Sequence, residues 1–326
     1  MIAIGRAEIR QLIDMREAID AAREAFVALA SGTAQVPLRL HLNTANGTSL
    51  FMPAHAPALG TVGLKLVTVT PANPARGRPT VQAVAILVDE ASGAPVALLE
   101  GTYLTQLRTG AAMGLGAELL AHPAADTVVL FGAGATAQTS LWAVCSVRPI
   151  QDVRVVHPHA EHFPAFVTAI RAYLGDATPS IRRVESPVDA LRGASIVLTA
   201  TSSPTPVFSG EALEPGSYVG ALGAYTPQTR ELDTQTILRS RLVVDTRAGA
   251  LAEAGEVVLP IQEGRLLPEQ IYAEIGEIAL GERPGRTAAE DIFVFKSVGN
   301  AMQDLTLANR IYQRARAAGL GTPIAL

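Results

Sequence analysis

Apolar residues recur at helical spacing between Asp14 and Ser31 (Ile19, Ala22, Phe26, Leu29), and Gly32 ends the run, so the segment reads as a helix. Short strand patterns follow at Ser49 to Met52, Gly63 to Thr70, Val81 to Asp89 and Pro95 to Glu100. Turn signals separate them: Pro71-Ala72-Asn73-Pro74, Arg76-Gly77-Arg78-Pro79 and Ser92-Gly93-Ala94-Pro95. Consecutive strands joined by short turns predict an antiparallel or mixed sheet. The Ala- and Leu-rich stretch from Thr105 to Ala121 reads as a helix stopped near Pro123.

The pattern then changes. Thr127 to Phe131 is a continuous apolar run of strand length, followed at once by Gly132-Ala133-Gly134. A helix is expected from Thr136 to Val147 and a strand from Val153 to Val156. Further apolar runs lie at Ser195 to Ala200, Tyr218 to Leu222 and Leu242 to Asp245, with helical or loop material between them. Ile292 to Lys296 is a last strand, leading into a helix from about Asn300 to Ala318. Strands alternating with helices predict an α/β fold with a parallel, doubly wound sheet of Rossmann type.

Composition narrows the function. The 326 residues are 48% hydrophobic and 17% charged, enough for a sizeable core in two domains or one large α/β domain, and incompatible with global disorder. A net charge of −4 provides no basic field for nucleic acid. Charges interrupt the first residues too early for a secretory h-region. Asp89, Glu90 and Glu118 interrupt the later apolar stretches, so neither a leader nor a membrane span is expected. Cys145 is the single cysteine and suits a reducing compartment; the expected location is the cytoplasm. Only Lys65 and Lys296 are lysines among 26 basic residues, which draws attention to both.

The sharpest motif is the strand-to-helix turn at 127–137. Gly132 permits the tight turn, Gly134 removes a side chain where backbone meets a pyrophosphate, and Ala137 lets helix and strand pack closely. Gly132, Ala133, Gly134, Ala135 and Thr136 would thus hold a dinucleotide at a helix N-terminus. An ordinary Gly-rich turn is the plainer alternative, but the flanking elements have the right lengths. The end of the second strand reads Val156-His157-Pro158-His159, without the acid that grips a ribose 2′-hydroxyl. No Arg stands in its place, so the cofactor leans modestly to NADPH, with NADH open; His157 or His159 would meet the phosphate. With His162 these histidines have zinc-like spacing, but no Cys or clustered acid completes a site, and no metal is expected.

Taken together, several segments resemble one family. They are Met52-Pro53-Ala54, Gly63-Leu64-Lys65-Leu66-Val67, Leu104-Thr105-Gln106-Leu107-Arg108-Thr109, the glycine turn, Thr199-Ala200-Thr201, the loop from Gly223 to Leu232, and Phe295 to Leu305. The chain is similar over nearly its whole length to the ornithine cyclodeaminase/μ-crystallin family. That resemblance implies a Rossmann domain at 121–298 and a discontinuous α+β domain, 1–120 with 299–326, which binds substrate and forms a homodimer through its sheet. It implies a small anionic amino, imino or oxo acid whose carboxylate is held by Arg39, Lys65 and Arg108, with Met52 and Thr80 bordering the pocket. It also implies cofactor contacts from Arg108, Thr109, Thr201, Leu222, Lys296 and Asp304.

The residues agree with this in different degrees. Arg39 reads equally well as a solvated surface residue. Lys65 lies in an apolar strand pattern, where a buried charge needs a partner; a substrate anion supplies one. Arg108 near a helix start opposes the dipole unless an anion is close. Lys296 is expected to reach the cofactor or a neighbouring carbonyl, and Asp304 to orient the nicotinamide amide or pair with a base; a structural ion pair or helix cap fits each as well.

One departure is informative. Tyr225 stands where ornithine cyclodeaminases of the family carry Asp, and a neutral phenol cannot grip a distal amine. Glu231 is the nearest acid but matches another family position. The loop is closer to the ketimine reductases, which reduce cyclic imines such as Δ1-pyrroline-2-carboxylate and Δ1-piperideine-2-carboxylate to L-proline and L-pipecolate. Lys65 is the first candidate to donate a proton or polarise the imine, Tyr225 the second, and a packing role suits Tyr225 nearly as well. The alternatives are ornithine cyclodeamination, alanine dehydrogenase-like amination of an oxo acid, and a non-catalytic NADPH-holding protein.

Overall fold

The computed structural model describes residues 1–325, which divide into two compact units, Met1–Arg108 with Asn300–Leu326, and Thr109–Gly299. The division falls inside the helix Gly101–Leu120, whose far end is the boundary expected from the sequence.

The first unit is built on a sheet of β1 (Ile2–Ile4), β2 (Leu40–Thr44), β3 (Gly47–Ala56), β4 (Thr61–Val69), β5 (Val81–Asp89), β6 (Pro95–Glu100) and a two-residue strand, Thr322–Pro323. Its order is Thr322–Pro323, β1, β6, β5, β4, β3, β2, antiparallel throughout except for the parallel β1–β6 pair. The mixed sheet expected from the short turns is therefore present. The helix Met15–Ala30 starts on a reciprocal cap between Asp14 and Glu17, and it packs against the helix Ala301–Ala318. That second helix is opened by Asn300, whose side chain accepts from the Met302 and Gln303 N–H groups, and it lies across β3, β4 and β5.

Alternation on β4 buries Thr61, Gly63, Lys65 and Val67 on the helix-covered face. Gly63 sets the spacing: a Cβ there would lie 2.8 Å from the Leu305 side chain. The other face of the sheet is apolar and open, with Leu64 opposite Pro53 and Ile86, Phe51 opposite Leu40, and Leu66 opposite Phe51. Leu40, Leu42, Val62 and Leu64 on this unit are exposed.

The second unit is an eight-stranded sheet of β7 (Thr127–Phe131), β8 (Asp152–Val156), β9 (Ser180–Arg183), β10 (Ile196–Thr199), β11 (Tyr218–Ala221), β12 (Arg241–Val244), β13 (Ala273–Glu274) and β14 (Phe293–Lys296). The order is β13, β12, β14, β11, β10, β7, β8, β9, and every pair is parallel. The central strands β7, β10, β11 and β14 are buried along their whole length, which explains their unbroken apolar runs. The order turns outward in both directions from β7 and β10, the arrangement of a doubly wound Rossmann sheet with its ligand crevice at the strands' carboxyl ends. No helix among the described residues is long and apolar enough to cross a membrane.

Candidate active site

In the first unit, the side chains expected to hold a carboxylate converge. Lys65 is 2% exposed, and Met52 and Ala85 are its cross-strand neighbours. Its Nζ lies 2.7 Å from Asp304 Oδ2. Arg108, 7% exposed, donates from Nε to Asp304 Oδ1 at 3.2 Å and from Nη1 to Gln303 Oε1 at 3.2 Å. Gln303 Oε1 also accepts the Asn300 N–H, so helix cap and guanidinium are held by one oxygen. Arg39, half-buried just before β2, is close enough to repel the Lys65 charge. Burial, then the Arg108 charge, lower the Lys65 pKa to about 7, against the opposing pull of Asp304.

The geometry overturns two expectations. The partner of Lys65 is supplied by the chain itself, as Asp304, and does not depend on a substrate anion. Arg108 is not at a helix start. The helix begins at Gly101, with the Glu100 carboxylate accepting from the Thr102 and Tyr103 N–H groups, so Arg108 sits two turns in and the dipole argument falls away. What keeps Arg108 buried is Asp304. Thr80 is half-buried immediately before β5, and its carbonyl accepts the Thr70 N–H.

In the second unit, the glycine turn has the features expected of it. Gly132 has φ +108°, and a Cβ there would sit 2.4 Å from the Ala200 carbonyl oxygen. Its N–H donates to the Val156 carbonyl, tying the turn to the end of β8. Gly134 is the N-cap of the helix Ala135–Cys145, with no side chain capping it and open space where its Cβ would point. Ala133 and Thr136 are half-buried, and Gly134 and Ala135 are exposed. An uncapped helix end facing open space fits a pyrophosphate, whose charge would take up the first N–H groups.

Past the end of β8, the His157 ring Nδ1 lies 3.1 Å from both the N and the O of His159. The rings of His157, His159 and His162 lie 5.2 to 5.6 Å apart. The sequence reading missed Arg183 here. It ends β9, donates to the His157 carbonyl at 3.4 Å and pairs with Glu185. No turn or alternation marks this four-residue strand, so its arginine had no visible place beside β8.

The loop from Gly223 to Leu232 is clamped by buried charge. Glu231, fully buried, accepts from Thr201 N and Oγ1 at 2.6 and 2.7 Å, from Thr199 Oγ1 at 2.9 Å and from Gly223 N at 2.6 Å. Its own N–H donates to Glu256, which pairs at 3.0 Å with Lys296; Lys296 in turn donates to the Ala224 carbonyl at 2.6 Å. Lys296 therefore reaches a neighbouring carbonyl and makes a structural ion pair, two of the roles expected of it, and is fully enclosed. Thr201 is committed to Glu231, and Leu222 donates its N–H to the Thr199 carbonyl. Tyr225 is half-buried beside these anchors, and Thr109 is half-buried on its helix next to Arg108 in the chain. All four hydrogen bonds to Glu231 are internal, which leaves it no means of replacing the acid missing at Tyr225.

A parallel doubly wound sheet with this glycine turn defines a Rossmann-type, nucleotide-binding class of protein, here combined with a unit that carries a buried cationic cradle. Comparison with known proteins narrows the class. The model of the ornithine cyclodeaminase/mu-crystallin family matches residues 2–319, and the chain belongs to that family. It is 37% identical over 327 residues to Delta(1)-pyrroline-2-carboxylate reductase of Bacillus cereus, covering 99% of both chains. The solved structure of Thermococcus litoralis Delta(1)-pyrroline-2-carboxylate reductase, in complex with NADH and L-proline, superposes with a TM-score of 0.95 at 35% identity, covering 99% of this chain and 100% of that one. An archaeal alanine dehydrogenase dimer with bound NAD superposes with a TM-score of 0.93 at 33% identity, covering 100% and 99%.

Proposed function

We propose that the protein reduces a small cyclic ketimine acid, Δ1-pyrroline-2-carboxylate or Δ1-piperideine-2-carboxylate, to L-proline or L-pipecolate. It is an NAD(P)H-dependent oxidoreductase acting on C=N. The observation that carries the reading is the cradle: Lys65 and Arg108 share one buried carboxylate, Asp304, and Arg39 lies close enough to Lys65 to add a third positive charge. That surplus of positive charge is matched by a substrate monoanion. Arg108 and Arg39 supply forked donors for the two carboxylate oxygens. Met52, beside Lys65 across the strand pair, supplies apolar surface for a ring, and Thr80 borders the pocket.

The bound reduced nicotinamide supplies the hydride. The chain's part is to hold the acid and manage a proton, because an imine accepts hydride readily only as its iminium. With a pKa near 7, Lys65 exists in both forms at neutral pH, the condition under which a general acid works best. Tyr225 is the second candidate. The fixed relation of carboxylate and proton source supplies the orientation on which much of such catalysis depends.

For the cofactor we place Gly132, Ala133, Gly134, Ala135 and Thr136 at the pyrophosphate and His157 and His159 near the ribose, with Arg108, Thr109, Thr201 and Leu222 as further contacts; Lys296 and Asp304, both expected at the cofactor from the sequence, are enclosed and paired within the chain and are assigned to holding their neighbours instead. The lean to NADPH rests on the missing acid after β8 and on Arg183 beside His157. NADH is the cofactor in the Thermococcus litoralis complex and is the alternative.

The buried, fully engaged Glu231 and the neutral Tyr225 weigh against ornithine cyclodeamination, whose distal amine needs an acceptor. Amination of an oxo acid is the second reading, favoured by likeness to the archaeal alanine dehydrogenase. We also propose a homodimer formed through the open apolar face of the β1–β6 sheet, where Leu40, Leu64, Leu66 and Ile86 await a cover.

The test is to follow cofactor oxidation with each cyclic imine and with pyruvate plus ammonia, using NADPH and NADH, and to assay ornithine separately for ammonia release. Cyclic imine reduction is expected to dominate. Ornithine turnover without imine reduction would reject the proposal.

A further inference from the structure

Asp304 does more than fill a charge hole. It is 3% exposed, on the first turns of the helix Ala301–Ala318, and each carboxylate oxygen faces a different base: Oδ2 the Lys65 ammonium at 2.7 Å, Oδ1 the Arg108 Nε at 3.2 Å. Its place is fixed from both sides. Asn300 caps the helix, Gln303 joins that cap to Arg108, and Gly63 admits Leu305 close against β4. A buried carboxylate gripping two substrate-side bases consumes part of the charge they offer. For mere anion binding that arrangement is wasteful, so its value must lie in where it holds them.

We propose that Asp304 is the positioning residue of the cradle: it fixes the Lys65 ammonium and the Arg108 guanidinium in one relative geometry and keeps Lys65 protonated for delivery of a proton to the substrate nitrogen. The inference rests on the ketimine-reductase reading for its consequence, but not for its geometry.

The groups that decide the protonation of Lys65 can be named from every element around it. Arg108 on the Gly101 helix and Arg39 before β2 oppose its charge, and Asp304 on the C-terminal helix supports it. The flanking strands present Met52 and Ala85, which are apolar. Removing the Asp304 charge leaves Lys65 buried between two guanidinium groups, and it releases its proton at lower pH. Conversion to Asn keeps the size and a carbonyl acceptor, so packing is nearly conserved. Conversion to Glu keeps the charge and displaces it by one methylene.

The chain's possession of only two lysines makes a direct readout available. With lysine labelled at its ε-carbon, the full-length protein gives resonances from Lys65 and Lys296, and Lys65→Met assigns them. Lys65 is expected to titrate near 7 in the unaltered protein and at least about one pH unit lower in Asp304→Asn. With Δ1-pyrroline-2-carboxylate, D304N is expected to lose about 100-fold or more in kcat/KM, mainly in kcat, with its alkaline limb moved to lower pH. NADH affinity is expected to stay within about twofold. D304E is expected to keep the unaltered limb and lose about tenfold in kcat through displaced geometry. A Lys65 resonance that titrates unchanged in D304N overturns the proposal. So does a D304E enzyme with unaltered kcat, which also decides the matter if D304N does not fold. Failure of the unaltered protein to reduce any cyclic imine would sink the functional reading, while the lysine titration still tests Asp304.

Discussion

Replacing Lys65 with Met removes one charge and little else. The thioether chain is close in volume to the lysine stem, and the site is already walled by Met52 and Ala85. What is lost is a buried ammonium 2.7 Å from Asp304 and the proton it holds. A charge-assisted contact to a substrate carboxylate contributes about 1.5–3 kcal/mol, roughly 10- to 150-fold in binding. A positioned proton donor contributes about 10² to 10⁴-fold in rate. If Lys65 does both, kcat/KM for Δ1-pyrroline-2-carboxylate falls by at least about 10³-fold, and kcat itself falls. If it only binds, KM rises and kcat is kept. The assay is steady-state oxidation of NADPH or NADH across pH. The unaltered enzyme should lose activity as pH rises through about 7, where Lys65 deprotonates, and the variant should lack that limb. Stability gives an independent sign. Lys65 has a lower pKa folded than unfolded, so between pH about 7 and the ordinary lysine value the unfolded chain holds a proton that the native state does not. Stability from this group therefore rises with pH through that window, and K65M should flatten the rise. A K65M enzyme with unchanged kcat would remove Lys65 from the chemistry.

Other consequences are quickly checked. Gly132→Ala places a methyl group 2.4 Å from the Ala200 carbonyl in a left-handed turn, so cofactor affinity by calorimetry should fall at least about tenfold, whereas Gly134→Ala, facing open space, should leave the fold intact and weaken only the nucleotide. If the proposed homodimer forms through the open sheet face, the unaltered protein should have the mass of a dimer in light scattering and Leu64→Lys that of a monomer; a monomeric unaltered protein, or a variant that stays dimeric, would refute that interface. Cys145, its thiol pushed up to about 12 by burial, should resist iodoacetamide at pH 8 in the native state and react on unfolding.

The parts of this structure that were legible in the sequence are those where one force dominates. β7 and the turn after it stand out because a fully buried parallel strand must be apolar throughout and must end on a residue that tolerates φ +108°. β5 and β6 were bounded by clear turn signals and fall at Val81–Asp89 and Pro95–Glu100, as read. Lys65 stood out because a lysine in a strand of apolar residues is anomalous. The rest depended on contacts between distant parts of the chain. β2 is exposed along its whole length, and its alternation Leu40-His41-Leu42-Asn43 is too short to stand out, although Arg39 immediately precedes it. β9 is four residues with two arginines, and only its pairing with β8 reveals Arg183 beside His157. Asp304 lies 239 positions from Lys65 in the chain, and no local pattern could have matched the two.

The proposed function stands on a small acid held by Arg39, Lys65 and Arg108. The most direct measurement is a crystal structure of the protein with L-proline and oxidised cofactor. The proline carboxylate is expected within hydrogen-bond distance of Lys65 and Arg108, with its ring nitrogen within reach of the Lys65 ammonium. A carboxylate bound away from these three side chains would contradict it.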